Sequence, residues 1–335
     1  MISEVPPVAP PIFMRRWGIV SSPLLRLIVR RMIGLVVVGV VVMFAVFLMV
    51  QLVPGNPIYQ AFGGDMSLQR YQQLRHQLYF DRPLYQQFAI YVDHVLHGNL
   101  GRSYATQQPV SSLIHERIAA SAELAGAALV IVLLVGIPLG IATGAVTREG
   151  RHPRVELGFT GVTATLAAIP DYLVGTILAF IFAVELRWLP VAGTNGLNTL
   201  ILPALAVSIS PTMSLSRIVR LETLNVLAQE YIRTARSQRL PWYLIYGRHV
   251  LPNVLTAALT VGGLIFAGIM GGAVIVETVF ARAGLGSALV EAVVNNNYPV
   301  IQAITLLFCI LVVIVNMVID IALAIIDPRS LTKEA

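Results

Sequence analysis

His115-Glu116-Arg117-Ile118-Ala119 begins as a zinc-protease motif does, with a ligand histidine beside a general-base glutamate. The second ligand must follow one helical turn after the first, and that position is Ala119. His76, His94 and His97 lie in the same stretch without metal-ligand spacing, and the one cysteine, Cys309, excludes a disulfide framework or a multi-cysteine metal site. No histidine stands beside a serine in the middle of an apolar run, so an intramembrane hydrolase would lack its base. The only lysine, Lys333, follows no glycine-rich loop, although a phosphate-cradling Walker A loop needs a lysine after its glycines. Catalytic residues, a resident metal and a cofactor are therefore not expected in this chain.

What remains is a few carboxylates in apolar surroundings. Asp171 follows Pro170 near the middle of an apolar stretch, where an unpaired carboxylate costs about 2.5–3.5 kcal/mol on insertion scales. It must face protein or water. Either it lines a solute path, where it could bind an amine, or it caps the half-helix that restarts after the proline. Glu277 and Asp320 stand at the ends of apolar stretches and suit anchoring or inter-helix hydrogen bonds, with a place on the solute path as the alternative for Glu277. Gly136, Gly140 and Gly144 make two small-xxx-small steps, and Gly268 and Gly272 make a third; such stripes let helix backbones approach closely.

Long apolar helices must position these groups. Of 335 residues only 40 are charged, or 12%, about half the ~25% of soluble domains. Residues 32–64, 124–147, 188–216, 249–276 and 292–319 hold no Asp, Glu, Lys or Arg, and each run exceeds the ~20 residues that cross a bilayer as a helix. The expectation is an all-α polytopic membrane protein with six transmembrane helices, roughly 32–53, 119–147, 157–184, 200–217, 251–276 and 300–319. With both termini inside, 16 of the 23 basic residues lie inside and seven outside, so the positive-inside rule makes the termini cytoplasmic and the site a cell membrane. The net charge of +6 is thereby a topology signal, and no nucleic acid partner is expected. The first apolar run is too long and starts too late for a cleaved signal peptide.

The chain divides into an N-terminal tail (1–25, with Pro6, Pro7, Pro10 and Pro11), a first span (26–53), an outer loop (54–117), a five-span domain (118–327) and a C-terminal tail (328–335). The outer loop opens on Pro54-Gly55-Asn56-Pro57 and carries two helical repeats, Leu68/Tyr71/Leu74/Leu78 and Leu84/Phe88/Tyr91/Val95, a folded cap that either packs over the channel mouth or holds a ligand. Inside, the stretch 217–250 places Leu221, Leu224, Ala228, Tyr231 and Ala235 on one helical face and Glu222, Asn225, Gln229, Arg233 and Arg236 on the other. Such a helix lies on the membrane surface, is solvated, or docks a soluble partner.

Arg233-Thr234-Ala235, three residues, Arg239, nine residues and His249-Val250-Leu251-Pro252 resemble the frame of the E-A-A loop of ABC importer permeases, with Arg233 in place of its glutamate, Arg239 of its glycine and His249 of its isoleucine. Over about residues 24–330 the chain resembles the dipeptide and oligopeptide (DppB/OppB-like) branch, through Pro54-Gly55-Asn56-Pro57, Asp81-Arg82-Pro83, Gly98-Asn99-Leu100-Gly101-Arg102-Ser103 and Ile169-Pro170-Asp171. Glu277-Thr278-Val279-Phe280, Gly284-Leu285-Gly286, Asn297-Tyr298-Pro299-Val300, Asn316, Asp320 and Asp327-Pro328-Arg329 extend it in order.

The resemblance implies the type I ABC importer (MetI-like) permease fold and a transmembrane subunit moving peptides by alternating access. Glu222, Arg233, Thr234, Ala235, Arg236, Arg239, His249, Leu251 and Pro252 would then form the ATPase-coupling loop. It implies four kinds of partner: a second, homologous permease, two ATP-binding subunits or domains that use ATP and Mg, an external solute-binding protein, and peptide cargo. A non-peptide solute such as nickel, glutathione or sugar is an alternative within the branch. An ion-coupled carrier is an alternative outside it, although such carriers pair several intramembrane acids and only Asp171 is deep here.

Overall fold

The structure is a computed structural model that describes residues 21–52, 55–62, 66–194 and 196–326, with side chains between 29 and 323. The proline-rich start, Pro54 and the terminal stretch 327–335 with Lys333 lie outside the described residues. The long helices are α1 (Ser21–Gln51), α5 (Val110–Thr147), α8 (Leu197–Leu227), α11 (Leu251–Val279) and α13 (Tyr298–Ile326). Between them lie α2 (Pro57–Phe62), α3 (Leu68–Gln77), α4 (Leu84–Leu96), α6 (Pro153–Ala168), α7 (Asp171–Ala179), α9 (Glu230–Ser237), α10 (Trp242–Leu244) and α12 (Leu285–Val294). Single π-helical segments, Phe180–Glu185 and Ile245–Val250, extend α7 and join α10 to α11.

Among the described residues five single helices are long and apolar enough to cross a membrane, and α6 with α7 makes a sixth if counted as one broken span. The third span expected over 157–184, with its interruption at Pro170, is two helices: α6 and α7 meet at 93°. The cause is local. Pro170 has no N–H to continue the helix and pushes its predecessor out of the α region, so Ile169 (φ −77°, ψ 126°) and Pro170 (φ −59°, ψ 138°) are both extended. Pro138, by contrast, sits inside an unbroken α5, and Pro203 and Pro211 inside α8.

Those two helices run parallel and press backbone to backbone. A Cβ added at Gly140 would lie 2.5 Å from Val219 Cγ1 and 2.6 Å from the Ser216 carbonyl; one at Gly136 would reach Leu215 at 3.2 Å, and one at Gly144 would reach Thr223 at 2.8 Å. Around this seam Leu124, Ala128 and Val132 of α5 and Leu202, Val207 and Leu215 of α8 are buried. The fifth-span pair behaves otherwise: Gly268 has nothing within 4 Å, and a Cβ on Gly272 would collide with the Asp171 carboxylate. α11 also closes on α13 at Gly263, which faces the Asn316 amide, and on α12 where Gly286 meets the backbone of Val274.

At one end of the bundle α2–α4 form a cap. Phe88 of α4 packs on Phe44 and Phe47 of α1 with centroids 5.4 Å away in both cases. The α3–α4 corner is held by a His76 Nδ1–Asp81 carboxylate contact of 2.8 Å, which keeps Asp81 below the usual carboxylate range. Among the described residues no strand forms; a lone antiparallel bridge joins Arg102 to Pro109. The other end carries the 148–152 turn and α9.

Gly140→Val should force α5 from α8 and cost at least about 1–3 kcal/mol, the overpacking range. Gly268→Ala should leave the thermal midpoint of the detergent-solubilised protein where it was. Equal midpoints for the two variants would contradict the seam.

Candidate functional site

The expected single amphipathic helix over 221–236 is two helices. α8 continues straight through Leu221 and Leu224 to Leu227; Gln229 then turns extended (φ −68°, ψ 149°), and α9 starts at Glu230, whose charge suits a helix N-terminus. Ile232 and Ala235 are buried, 0% and 6% exposed, in the region of Leu227, Ile245 and Val250. The opposite side of α9 exposes Tyr231, Arg233, Thr234 and, just beyond, Arg239.

Arg239 ends α9 in a Schellman turn, its N–H bonding to the Arg236 carbonyl (2.9 Å) and that of Leu240 to the Ala235 carbonyl (3.2 Å). That geometry sets φ at +57°. Left-handed backbone favours glycine, the residue the E-A-A frame has here, and an arginine pays roughly 1–2 kcal/mol for it. His249 lies with its ring 5.8 Å from Tyr231, and Leu251 and the exposed Pro252 open α11. Glu222 accepts only a long contact from Asn225 (3.5 Å).

Arg236 is shared between faces, since a terminal nitrogen stands 3.7 Å from the Glu149 carboxylate in the turn between α5 and α6. Beside it Arg220 of α8, 7% exposed, donates through Nε to Thr147 Oγ1 (3.2 Å) and through a terminal nitrogen to Glu156 of α6 (2.7 Å). This buried arginine ties the ends of α5, α6 and α8 together. It was not singled out in the sequence because a basic residue at the end of a span reads as a topology charge.

Asp171 is the first residue of α7, where a carboxylate suits the helix dipole. The N-cap is Pro170 and no side chain caps the helix, so Asp171 makes no capping bond. It is partly exposed, with one oxygen pressed against the Gly272 backbone.

Glu277 is fully buried, so it lines no open path. Its carboxylate accepts from Ser121 Oγ (2.5 Å) and from the N–H groups of Gly286 (2.8 Å) and Ser287 (3.1 Å), which makes it the anion at the N-terminus of α12. Ser121 also accepts from the Leu285 N–H at 2.8 Å. Any side chain at Gly284 or Gly286 would strike this carboxylate. Arg282, 1% exposed, closes the junction on the Ala120 carbonyl (3.2 Å) and Glu123 (2.8 Å). Ser121 lies 156 residues from Glu277, and no local pattern announces the pair.

Ser121→Ala would leave a buried carboxylate and a buried N–H each one partner short, at about 1–3 kcal/mol. A clear fall in the thermal midpoint is expected, and a small one for Glu123→Gln, whose own side chain is largely exposed and whose amide oxygen can still accept from Arg282. A Ser121→Ala midpoint equal to wild type would refute the anchoring role of this junction.

Residues 136–331 match the family described as the binding-protein-dependent transport system inner membrane component, and residues 24–125 match the N-terminal region family of such membrane components. The glutathione transport system permease protein GsiC of Salmonella typhimurium (strain LT2) is 35% identical over 305 residues, 91% of this chain and 98% of that protein. A protein of Brucella suis biovar 1 (strain 1330), provisionally named a peptide transport system permease, is 34% identical over 311 residues, 90% of this chain and 98% of its own length. A bundle of five to six membrane-length helices, the E-A-A-like frame on α9 and these matches converge: the chain belongs to the family of binding-protein-dependent inner membrane components and is a DppB/OppB-like ABC importer permease.

Proposed function

We propose that α9 docks an ATP-binding subunit and that this chain forms one side of the path of a peptide importer. One observation carries the reading: α9 is pinned by the buried Ile232 and Ala235 between the end of α8 and the π-helical segment that leads into α11, while Tyr231, Arg233 and Thr234 stay exposed. A force on α9 therefore reaches two long helices. Two ATP-binding subunits, which use ATP and Mg, close on binding nucleotide and displace α9; α8 and α11 tilt and open the path toward an external solute-binding protein. Hydrolysis restores the inward state. A second, homologous permease supplies the other wall.

The same reading makes the α9 face cytoplasmic, together with both termini, which the distribution of 16 basic residues against seven supports. Peptide cargo is supported by the names of the relatives, one of which is a glutathione permease, so a short anionic peptide falls within the class. What supports Asp171 as the group that meets the amine of the cargo is its partial exposure at a helix break and its lack of a cap bond.

Arg233→Glu should lower ATP-driven uptake into vesicles at least tenfold and weaken co-purification of the ATP-binding subunits, with normal membrane insertion. Wild-type uptake and pull-down would contradict docking through α9. Asp171→Asn should reduce uptake several-fold without changing subunit association; unchanged uptake would remove it from the path.

A further inference from the structure

One cavity is lined by no residue of the α9 region. It lies under the cap, encloses about 560 Å³, and falls in the size range that takes a drug-sized molecule. Phe47 and Val50 of α1, Tyr91 and His94 of α4, and Gln302 of α13 line it, with Arg102 from the hairpin that follows α4.

Three features are those of a built site rather than a packing defect. The Tyr91 hydroxyl is buried and has no hydrogen-bond partner, a costly state that an acceptor within the cavity would relieve. Burial pushes the Tyr91 pKa up to about 12, so the group keeps its proton at neutral pH and acts as a donor. Arg102 is oriented by its Nε–H bond to the Gln107 carbonyl (2.9 Å), while its terminal nitrogens bond no protein group among the described residues. No Asp or Glu lines the cavity, so the guanidinium is not neutralised from within. The hairpin is itself fixed by the Ser103 N–H to Gln108 carbonyl (2.9 Å) and Val110 N–H to Gly101 carbonyl (3.0 Å) bonds. Tyr79, held left-handed at φ +60° by the turn ending α3, sets its ring 6.3 Å from His94, which adds a ring N–H or an acceptor.

We propose that this cavity binds the carboxylate end of a free short peptide, with Arg102 pairing the carboxylate, Tyr91 donating to a peptide carbonyl, and Phe47 and Val50 receiving an apolar side chain. The site stands apart from Asp171, which is on α7, and gives the permease a peptide contact of its own on the cap face. It rests on the peptide-cargo reading above.

The test uses the permease with its partner subunits in nanodiscs, without binding protein or nucleotide. Binding of radiolabelled alanyl-phenylalanine is compared with that of its C-terminal amide. The acid should bind saturably and the amide at least tenfold more weakly; Arg102→Gln should weaken the acid at least tenfold and erase that difference. Tyr91→Phe should weaken binding about fivefold yet leave the thermal midpoint unchanged or higher, because the hydroxyl it removes bonds nothing in the protein. ATP-driven uptake of the same peptide by the full assembly with its binding protein runs alongside. Uptake without saturable binding, or binding indifferent to both variants, overturns the site alone. Binding without uptake overturns the cargo reading and supports a carboxylate site; absence of both overturns both.

Discussion

The contact of α5 with α8 is the constraint on which the other features depend. With glycine at 136, 140 and 144, the backbone of α5 lies against the side chains and carbonyls of α8 at 212–223, too close for any Cβ at the central position. Lipid offers apolar side chains no gain over their neighbours, so this pair is held by contact area and by what lies at its ends. At one end Arg220 fastens α8 to Thr147 and Glu156; at the other Ser121 of α5 joins Glu277 and the start of α12. The carboxylate of Glu277 and the guanidinium of Arg220 both find partners at these junctions, where an unpaired group would be expensive.

From that seam the functional geometry follows. A fixed α8 runs to Leu227 and presents α9 at a set distance from the bundle, and the π-helical segment 245–250 returns the chain to α11. The Schellman turn at Arg239 decides where α9 stops. On the other side of α8, the break at Ile169–Pro170 leaves a half-helix whose first residue is Asp171, lodged against the bare backbone at Gly272. A broken helix with its start near the centre of the bundle is how membrane proteins expose polar backbone and a charge to a path without exposing them to lipid.

Much of this was legible. Charge-free runs mark the long helices because a bilayer tolerates few charges, and Pro170 marks an interruption because it lacks an N–H. The angle of the interruption was not legible, since 93° depends on what α6 and α7 pack against. A four-residue repeat shows that small residues share a face, not what that face meets: α8 lies against the stripe at 136–144, and nothing lies within 4 Å of a Cβ built at Gly268. The break at Ala228–Gln229 carries neither proline nor glycine, and both residues favour helix, so tertiary packing of Ile232 overrides local preference there. Ser121 with Glu277, and Arg220 with Glu156, are pairings between distant segments that become readable only once the helices are placed.

The central claim is that α9 transmits force from a nucleotide-driven neighbour into α8 and α11. Cys309 is the only cysteine, so a Cys309→Ser background makes a single reporter at Thr234→Cys on the exposed side of α9 simple to build. A photoactivatable cross-linker on that cysteine, in the assembled transporter in nanodiscs, should join α9 to an ATP-binding subunit, with a yield that changes between nucleotide-free and ATP-bound states. Cross-links confined to lipid or to this chain itself, and indifferent to nucleotide, would contradict the account.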